Sequence, residues 1–256
     1  MNLDKRLAAA AALVPRRNNL LLADIGTDHA YLPAAMVLQG RVSRAVAGDI
    51  AAGPCDAARR TVALYGVRDK VQVRQGSGLE VLRGEDDAAL AACTIVIAGM
   101  GAGTIIEILQ NDLALAHKAQ SLVLQPMAGA ALLRRWLLAN SWRLVQEDLV
   151  EDGQHFYELM RAEPVGETDK AGFNAGIDIY GEAALLLGPM NIAERHKLLP
   201  QHIRRQQKQL ADLLASMERS AQARQSEKYR RSRKLLEELE VLAENVCGSK
   251  AECNCK

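Results

Sequence analysis

Five short apolar runs recur along the first half of the chain, and each ends in glycine or in a polar residue. Stretches with helical spacing, rich in alanine, leucine and arginine, lie between them. Runs that are buried on both faces and alternate with helices are typical of a parallel sheet with right-handed crossovers. The sequence therefore predicts an α/β protein whose strands lie within residues 20–26, 44–50, 71–76, 94–101 and 121–127.

The ends of these runs predict where a ligand binds. In an open parallel sheet, ligands occupy the crevice beyond the carboxyl ends of the strands. Because those ends share one edge, we expect a single site there. The residues at this edge are Asp24–Gly26, Asp49–Ile50, Gly76–Gly78, Gly99–Gly101 and Gln125–Met127.

The stretch "WRLVQEDLVEDGQHFYELMRAEPV" predicts two further strands around Asp152-Gly153. Asp-Gly between alternating runs is a strong hairpin signal. An antiparallel hairpin that closes a parallel sheet is the ending of class I, Rossmann-like methyltransferases. A dinucleotide dehydrogenase more often continues with parallel strands, so the hairpin favours the methyltransferase architecture.

The composition changes after Pro164. The segment "VGETDKAGFNAG" predicts a linker, and "IDIYGEAALLLGPM" predicts a short helix ended by Gly188-Pro189. Leucines at helical spacing predict two long helices, about 191–218 and 220–245, paired as an antiparallel coiled-coil hairpin. We therefore expect a cofactor-binding domain over residues 1–165, a helical domain over 166–246 and a disordered tail over 247–256.

Charge is divided unevenly along the chain. Residues 194–234 contain 12 Lys or Arg against 4 Asp or Glu, a net of +8, whereas the whole chain has a formal charge of +1 and the remainder therefore −7. Such a segment is either a solvated helix surface or an arm that binds phosphates. The second interpretation predicts phosphate contacts from Arg204, Arg205, Lys208, Arg230, Arg231 and Arg233.

The remaining composition excludes several classes of protein. No segment approaches the roughly 18 apolar residues of a membrane span, and the alanine-rich start, followed by Arg16-Arg17, predicts an amphipathic helix rather than a signal peptide. We expect a cytoplasmic protein. Cys55 and Cys93 lie in apolar patterns and predict reduced core thiols. The three C-terminal cysteines lack a nearby histidine, so we expect no metal site.

The strand ends fit S-adenosylmethionine. Gly26 allows the backbone to approach the methionine moiety, and a carboxylate at Asp49 can accept both ribose hydroxyls. Asp49 serves NAD equally well, but the dinucleotide motif G-x-G-x-x-G is absent and "GTDHAYL" offers no glycine for a pyrophosphate. Asp28 has two interpretations, as a helix N-cap for a helix that starts near Tyr31 or as a ligand contact.

The chain also resembles a known family. The stretches "DIGTDHAYLP", "GDI", "GSGLEVL", "IAGMGAGTI", "LVLQPM", "LRRWL" and "EDLVEDGQHFYEL" are similar to those of the bacterial tRNA adenine-22 N1-methyltransferases. The resemblance covers nearly the whole chain and is densest over residues 3–160. It implies S-adenosylmethionine as cofactor, tRNA as partner and 1-methyladenosine as product.

The resemblance also implies roles for individual residues. The residues expected to bind the cofactor are Arg6, Asp24, Ile25, Gly26, Asp49, Ile50, Gly78, Gly99 and Met100. Asp28, His29 and Tyr31 are expected to face the methyl group and the target base. Gln125 and Pro126 are expected to form the opposite wall, against the substrate.

Two positions depart from the family pattern. Ser77 stands where the family usually has an aspartate that would accept a hydrogen bond from the cofactor's exocyclic amine. The shorter, uncharged serine predicts weaker or water-mediated contact. Ala102 replaces a usual glycine, and we expect its extra methyl group to be tolerated.

Adenine N1 has an in-plane lone pair and no proton to lose, so methyl transfer needs no general base.

The sequence leaves three functions open. The first is methylation of adenine 22 in tRNA, which the resemblance favours. The second is methylation of another RNA or a small molecule. The third is a catalytically weakened cofactor- and RNA-binding module, which Ser77 makes worth testing.

Overall fold

A computed structural model describes residues 1–16, 20–166 and 181–247 of the chain. The chain divides into two compact units, residues 1–177 and 178–256. Most of the predicted linker and the last nine residues, with Cys253 and Cys255, lie outside the described part.

The first unit is built on a seven-stranded sheet in the order β3-β2-β1-β4-β5-β7-β6. Strands β1 to β5 are parallel, and β7 runs antiparallel to both β5 and β6. The predicted parallel sheet with a closing hairpin is confirmed. The strands are β1 Leu21–Ile25, β2 Arg44–Asp49, β3 Val71–Gln75, β4 Cys93–Met100, β5 Ser121–Pro126, β6 Trp142–Asp152 and β7 His155–Pro164.

The helices of the first unit alternate with its parallel strands. The helices are α1 Lys5–Leu13, α2 Tyr31–Leu38, α3 Ala52–Leu64, α4 Asp87–Ala91, α5 Ala102–Asn111, α6 Leu113–Ala116 and α7 Ala130–Ala139, together with one 3₁₀ helix, Gly78–Leu82.

Cys55 and Cys93 are free and buried, as predicted.

Helix α1 is part of the core of this unit and not a detached leader. Its N-cap Asp4 accepts a hydrogen bond from the backbone N–H of Leu7 at 2.7 Å. Ala10 and Leu13 are buried in the same cluster as Leu22 of β1 and Val123 of β5. This packing holds the first turn of α1 near the central strands, which brings Arg6 to the edge where the ligand is expected.

The second unit contains helices only among its described residues, and its core differs from the predicted two-helix seam. Ala183 and Leu187 of α8 pack with Leu199, Ile203 and Leu239 from two longer helices. Three helices supply the buried residues of this core, and Ile192 of α9 packs against it. The helices are α8 Glu182–Leu187, α9 Pro189–Ala193, α10 Leu199–Met217, α11 Ala221–Arg224 and α12 Glu227–Cys247.

Both long helices start later than the leucine spacing predicted. Arg195 has φ +49°, a left-handed conformation that an α-helix of L-residues cannot continue through, so the chain turns before α10. Ser226 accepts a hydrogen bond from the N–H of Tyr229 at 3.2 Å and caps the start of α12. No helix among the described residues is long and apolar enough to cross a membrane.

Candidate active site

Strand β1 ends in a buried carboxylate followed by a position that only glycine fits. Asp24 is 7% exposed, and its Oδ2 accepts a hydrogen bond from Thr27 Oγ1 at 2.6 Å. Gly26 has φ +74°, and the side chain of Met100 occupies the space that a Cβ would need. Any larger residue at position 26 would be strained and would displace Met100. The predicted cofactor contacts of Asp24, Ile25 and Gly26 stay a prediction.

The loop after Gly26 places polar and aromatic side chains at the surface. Asp28 and Ala30 both have left-handed backbones, with φ +48° and φ +55°. His29 Nε2 lies 3.6 Å from Asp28 Oδ2, and the His29 ring stacks on Tyr31 with 5.2 Å between centroids. These contacts group the three residues that the resemblance assigned to the methyl group and the target base.

The interpretation of Asp28 as a helix cap is wrong in this structure. The N-cap residue of α2 is Ala30, and no side chain caps that helix. Because residue 28 is followed by a left-handed turn, its side chain cannot reach the first free N–H groups of α2. The Asp28 side chain is instead 74% exposed, which leaves a carboxylate available to a ligand.

The second carboxylate lies where β2 ends. Asp49 Oδ1 accepts a hydrogen bond from the N–H of Ala51 at 2.8 Å, which holds the turn after the strand. Asp49 also acts electrostatically on Asp24. The next residue, Ile50, is 69% exposed. A carboxylate beside an exposed aliphatic side chain suits a ribose with its attached base.

The end of β3 leads into the 3₁₀ helix at the two predicted residues Ser77 and Gly78. The N–H of Ser77 donates to Glu80 Oε2 at 3.2 Å, as part of a capping box. Gly78 has φ +53° and packs near Ile108. Ser77 is thus engaged in starting a helix, a role that serine fills well and that requires no cofactor.

Strand β4 ends in an irregularity that turns Gly99 toward Arg6. The register between β4 and β5 shifts between Ala98 and Met100. Gly99 has φ +82°, and a Cβ there would lie 3.2 Å from Arg6 Nη1. The guanidinium of Arg6 therefore lies directly over the backbone of Gly99, as the assignment of both to one site required.

Gln125 and Pro126 do not form the predicted wall. Both side chains are buried at the end of β5, and Gln125 is fully buried. Its Oε1 accepts hydrogen bonds from Arg6 Nη1 at 3.1 Å and from the N–H of Gly99 at 3.0 Å. The amide is thus occupied by the protein, since strand pairing turns residue 125 inward.

A cleft of about 340 Å³ joins these residues at the carboxyl edge of the sheet. It brings together Arg6, Asp24, Gly26, Asp28, His29, Tyr31 and Gly99 from the predicted set, and adds Asp4, Leu7, Thr27, Leu32 and Ala98. Ile25, Asp49, Ile50, Ser77, Gly78 and Met100 are not among its lining residues. Thr27, which donates to Asp24, was not predicted.

The cleft is acidic and contains the guanidinium of Arg6. Burial raises the pKa of Asp24 to about 6, and the hydrogen bond from Thr27 and the charge of Arg6 oppose that rise. Arg6 Nη2 lies 4.0 Å from Asp4 Oδ2 and acts electrostatically on Asp24, and Asp28 lines the same cleft. Such a set suits a ligand that carries cationic groups together with one carboxylate, and its three carboxylates disfavour a pyrophosphate.

The described residues contain no group of three or more His, Cys, Asp or Glu that could hold a metal ion. S-adenosylmethionine fits the donor set of the cleft, because it has an ammonium group, a sulfonium centre, a carboxylate and ribose hydroxyls.

The six predicted basic residues of the second unit are exposed. At roughly 100° per residue, Arg205 and Lys208 lie on the side of α10 opposite Ile203 and Leu214, which face the core. Arg230 and Arg233 likewise lie opposite Leu239 on α12. The helices pack through their core faces, so Arg205 and Lys208 on α10 face away from Arg230 and Arg233 on α12.

On α12 the basic residues alternate with carboxylates. Arg231 pairs with Glu227 one turn earlier, and Arg233 Nε lies 3.6 Å from Glu237 Oε1. Exposed pairs of this kind are weak, but they reduce the local positive charge. Over its whole length α12 contains five basic and five acidic residues, whereas α10 contains Arg204, Arg205 and Lys208 against the single carboxylate of Asp212. The α10 residues are therefore the stronger candidates for phosphate contacts.

Comparison with known proteins gives a consistent result. The family model described as tRNA (adenine(22)-N(1))-methyltransferase matches residues 22–244. A Bacillus subtilis (strain 168) protein with that name is 35% identical over 248 residues, 96% of this chain and 98% of that protein.

Solved structures agree with the sequence matches. The crystal structure of the B. subtilis m1A22 tRNA methyltransferase has a TM-score of 0.75 at 33% identity, covering 96% of this chain and 98% of the other. A Streptococcus pneumoniae protein solved in complex with S-adenosyl-L-methionine has a TM-score of 0.76 at 25% identity, covering 94% of this chain and 100% of the other.

Proposed function

The chain belongs to the tRNA (adenine(22)-N(1))-methyltransferase family, and from that premise we propose how its cleft and its helical unit carry out the reaction. The protein is an S-adenosylmethionine-dependent methyltransferase that acts on adenine N1 of tRNA. The observation on which the proposal rests is the acidic cleft at the ends of β1 and β4, where Asp24 and Asp28 lie with Arg6 around Gly26. We assign its work to the cytoplasm.

We propose that the two carboxylates and the guanidinium hold different parts of the cofactor. Asp49, at the end of β2, accepts hydrogen bonds from the ribose hydroxyls, and the exposed side chain of Ile50 packs against the adenine. Arg6 holds the carboxylate of the methionine moiety. Asp24 faces its ammonium and sulfonium charges. The support is that one cleft is lined by Arg6, Asp24, Gly26 and Gly99, and that Asp49 acts electrostatically on Asp24 from the end of β2.

Ser77 and Gly78 complete the proposed cofactor site at the end of β3. Gly78 has the left-handed backbone that the turn requires. Ser77 has no charge to offer the exocyclic amine, so its contribution is a neutral hydrogen bond. Neutral hydrogen bonds contribute about 0.5 to 1.5 kcal/mol, less than charged ones, so this contact is the weakest of the set.

Asp28 is proposed to bind the target adenine and to stabilise the positive charge that forms on it. When bound, S-adenosylmethionine supplies a methyl group on a sulfonium sulfur, which adenine N1 accepts without losing a proton. Asp28 accepts a hydrogen bond from the exocyclic amine of the target adenine and so fixes the base. Its negative charge stabilises the positive charge that the base acquires, which is electrostatic catalysis by a preorganised group.

His29 and Tyr31 are proposed to receive the base. N1 lies on the Watson–Crick edge, so the adenine must be unpaired or flipped out before it reaches the cleft. The stacked rings of His29 and Tyr31 are partly exposed at the cleft. Aromatic surfaces of this kind stack unpaired bases, with about 1 to 3 kcal/mol per base. This gain offsets much of the cost of unpairing.

The helical unit, residues 166–246 in the sequence-based division, is proposed to bind the tRNA backbone. The support is its basic segment, and in particular the exposed outer side of α10 with Arg205 and Lys208. Phosphate contacts of this type give affinity without base specificity. The choice of adenine therefore rests with the cleft.

Nucleoside analysis tests the proposed function directly. Purified protein is incubated with S-adenosylmethionine and unmodified tRNA, and the digested tRNA is examined by mass spectrometry. We expect 1-methyladenosine, mapped to position 22. A methylated nucleoside at another position or in another RNA would support the alternative substrate. Cofactor binding by calorimetry with no methylated product would support the weakened binding module that Ser77 raised.

A further inference from the structure

The bulge at the end of β4 creates a backbone donor that needs a partner. Ala98 pairs with Gln125 and Met100 pairs with Pro126, so Gly99 is an extra residue between two paired positions. Bulges of this kind re-aim the chain and are common beside active sites. The N–H of Gly99 donates to Gln125 Oε1 at 3.0 Å, which satisfies a donor that would otherwise be costly to bury.

The same oxygen also holds Arg6. Gln125 Oε1 accepts from Arg6 Nη1 at 3.1 Å, across 119 positions of sequence. The amide nitrogen donates to the carbonyl of Pro126 at 3.0 Å and lies 3.7 Å from Met127 Sδ. Because both oxygen lone pairs and both N–H groups have partners, the orientation of the amide is fixed by the network.

Gln125 cannot act on a ligand itself. It is fully buried and does not line the cleft, whereas Arg6 and Gly99 do. Arg6 comes from the first turn of α1, and its long side chain has many rotamers to lose on becoming ordered. A single buried acceptor that binds both Arg6 and Gly99 places the guanidinium over the bulge before any ligand arrives.

We propose that Gln125 is a positioning residue for the cofactor, which acts by fixing Arg6 of α1 over the bulged Gly99 of β4. This inference rests on the proposed role of Arg6 in binding the carboxylate of the methionine moiety. It replaces the expectation that Gln125 contacts substrate. It also explains why glutamine suits this position, since its side chain reaches two donors with one oxygen while its nitrogen satisfies the carbonyl of Pro126.

A double-mutant cycle tests the coupling between the two residues. The variants are Arg6→Ala, Gln125→Leu and the double variant, and the readout is binding of S-adenosylhomocysteine by calorimetry. We expect each single change to weaken binding about tenfold or more, since hydrogen bonds to charged groups are among the stronger ones. The double variant should bind no more than about threefold more weakly than Arg6→Ala, because without Arg6 there is little for Gln125 to position.

A conservative variant separates positioning from bulk. Gln125→Glu keeps an acceptor for both Arg6 and Gly99 but places a carboxylate oxygen against the carbonyl of Pro126, so we expect its affinity to lie between those of the parent and Gln125→Leu. If Gln125→Leu does not fold, Gln125→Asn takes its place in the cycle, because its amide is one methylene too short to reach both donors. In steady-state kinetics, we expect Gln125→Leu to have a higher KM for S-adenosylmethionine than the parent, with a kcat within about twofold of the parent's.

A matched control lies on the same strand. Ser121 of β5 shares a buried hydrogen bond of 2.9 Å with Thr94 of β4, and both residues are fully buried. Ser121→Ala removes a buried contact between these strands at the end of β5 away from the cleft. We expect it to lower thermal stability and to leave cofactor affinity unchanged.

The outcomes distinguish the inference from its premise. If Arg6→Ala binds the ligand like the parent, the proposed role of Arg6 is wrong. If Arg6→Ala weakens binding but Gln125→Leu behaves like Ser121→Ala, the positioning role is overturned and Gln125 is structural only. Fully multiplicative losses in the double variant would overturn the coupling.

Discussion

Thr27 Oγ1 donates a hydrogen bond to the buried Oδ2 of Asp24 at 2.6 Å, yet burial still raises the pKa of this carboxyl to about 6. A single hydroxyl does not replace the water that Asp24 loses on folding. The ionised carboxylate is therefore held at a cost, in a place where a cationic ligand can offset it. The ionised Asp24 therefore lowers the stability of the free protein and favours binding of a cationic ligand.

Asp24→Asn should make the protein more stable and less able to bind its cofactor. The amide keeps an acceptor for Thr27 and has no charge to desolvate. With 1.36 kcal/mol for each unit of pKa, we expect the free energy of unfolding at pH 7.5 to rise by roughly 1 to 3 kcal/mol. Denaturant unfolding measures this, and calorimetry should show much weaker S-adenosylmethionine binding. A destabilised variant with intact affinity would contradict the assignment.

The raised pKa of Asp24 also predicts a pH dependence of stability. Between about pH 4 and pH 6 the folded protein keeps a proton that the unfolded chain has released. The contribution of Asp24 to the free energy of unfolding therefore falls as the pH rises through this range, and the loss is complete above about 6. Comparing the pH profiles of the parent and Asp24→Asn isolates this contribution, which should appear as a difference that grows with pH.

Binding of the cofactor should release a proton near pH 6. Asp24 must be ionised to face the cationic groups of S-adenosylmethionine, so its pKa falls on binding and affinity rises with pH up to about 6. Calorimetry in buffers of different ionisation enthalpy counts the released proton. The Asp24→Asn variant is the control, and proton release of the same size in that variant would assign the effect to another group.

Asp49→Asn should weaken binding of the cofactor without disturbing the turn after β2. The amide retains an oxygen for the N–H of Ala51, which Asp49 Oδ1 holds at 2.8 Å. Because charged hydrogen bonds are stronger than neutral ones, we expect a loss of about 1.5 to 3 kcal/mol in S-adenosylmethionine binding for Asp49→Ala and a smaller loss for Asp49→Asn. Unchanged affinity in a folded Asp49→Ala variant would remove this residue from the ribose site.

Asp28→Asn should reduce turnover while leaving cofactor affinity nearly unchanged. The variant keeps the size of the side chain and its ability to accept a hydrogen bond, but it loses the charge that stabilises the cationic base. We expect kcat to fall by about a hundredfold. Single-turnover methylation of tRNA measures the change. A turnover close to that of the parent would show that the charge of Asp28 takes no part in the reaction.

The basic surface of α10 should dominate the salt dependence of tRNA binding. Replacing Arg204, Arg205 and Lys208 by Gln should reduce the log–log salt slope by roughly 2 to 3, because each phosphate that the protein neutralises contributes about 0.7 to 0.9 to that slope. The charge-matched control replaces Arg230, Arg231 and Arg233 on α12, a helix with as many acidic as basic residues. Equal effects of both triple variants would mean that net charge matters and the α10 surface does not.

The sequence by itself determined the elements and the edge at which the site lies. Each strand is a local run of buried residues, and Asp24, Asp49 and Gly99 follow directly from where those runs stop. The Asp-Gly turn of the hairpin is equally local, since Gly153 has the left-handed backbone that such turns need. These features depend on a few neighbouring residues, so a linear pattern records them, and the resemblance to a family added the chemistry.

Tertiary structure alone decided which side chains act together. The helical spacing of leucines shows which face of a helix is buried but not how many helices share it, so the contribution of α8 to the core with Ile203 and Leu239 was not predicted. The left-handed turn at Asp28 and Ala30 removed a cap that the residue type favoured. In the sequence, Gln125 is one more polar residue at the end of a strand. Its role depends on the shifted register at Gly99 and on Arg6 of α1, because its side-chain oxygen accepts hydrogen bonds from both of these residues. Hydrogen bonds between distant elements depend on register and packing, which no local period encodes.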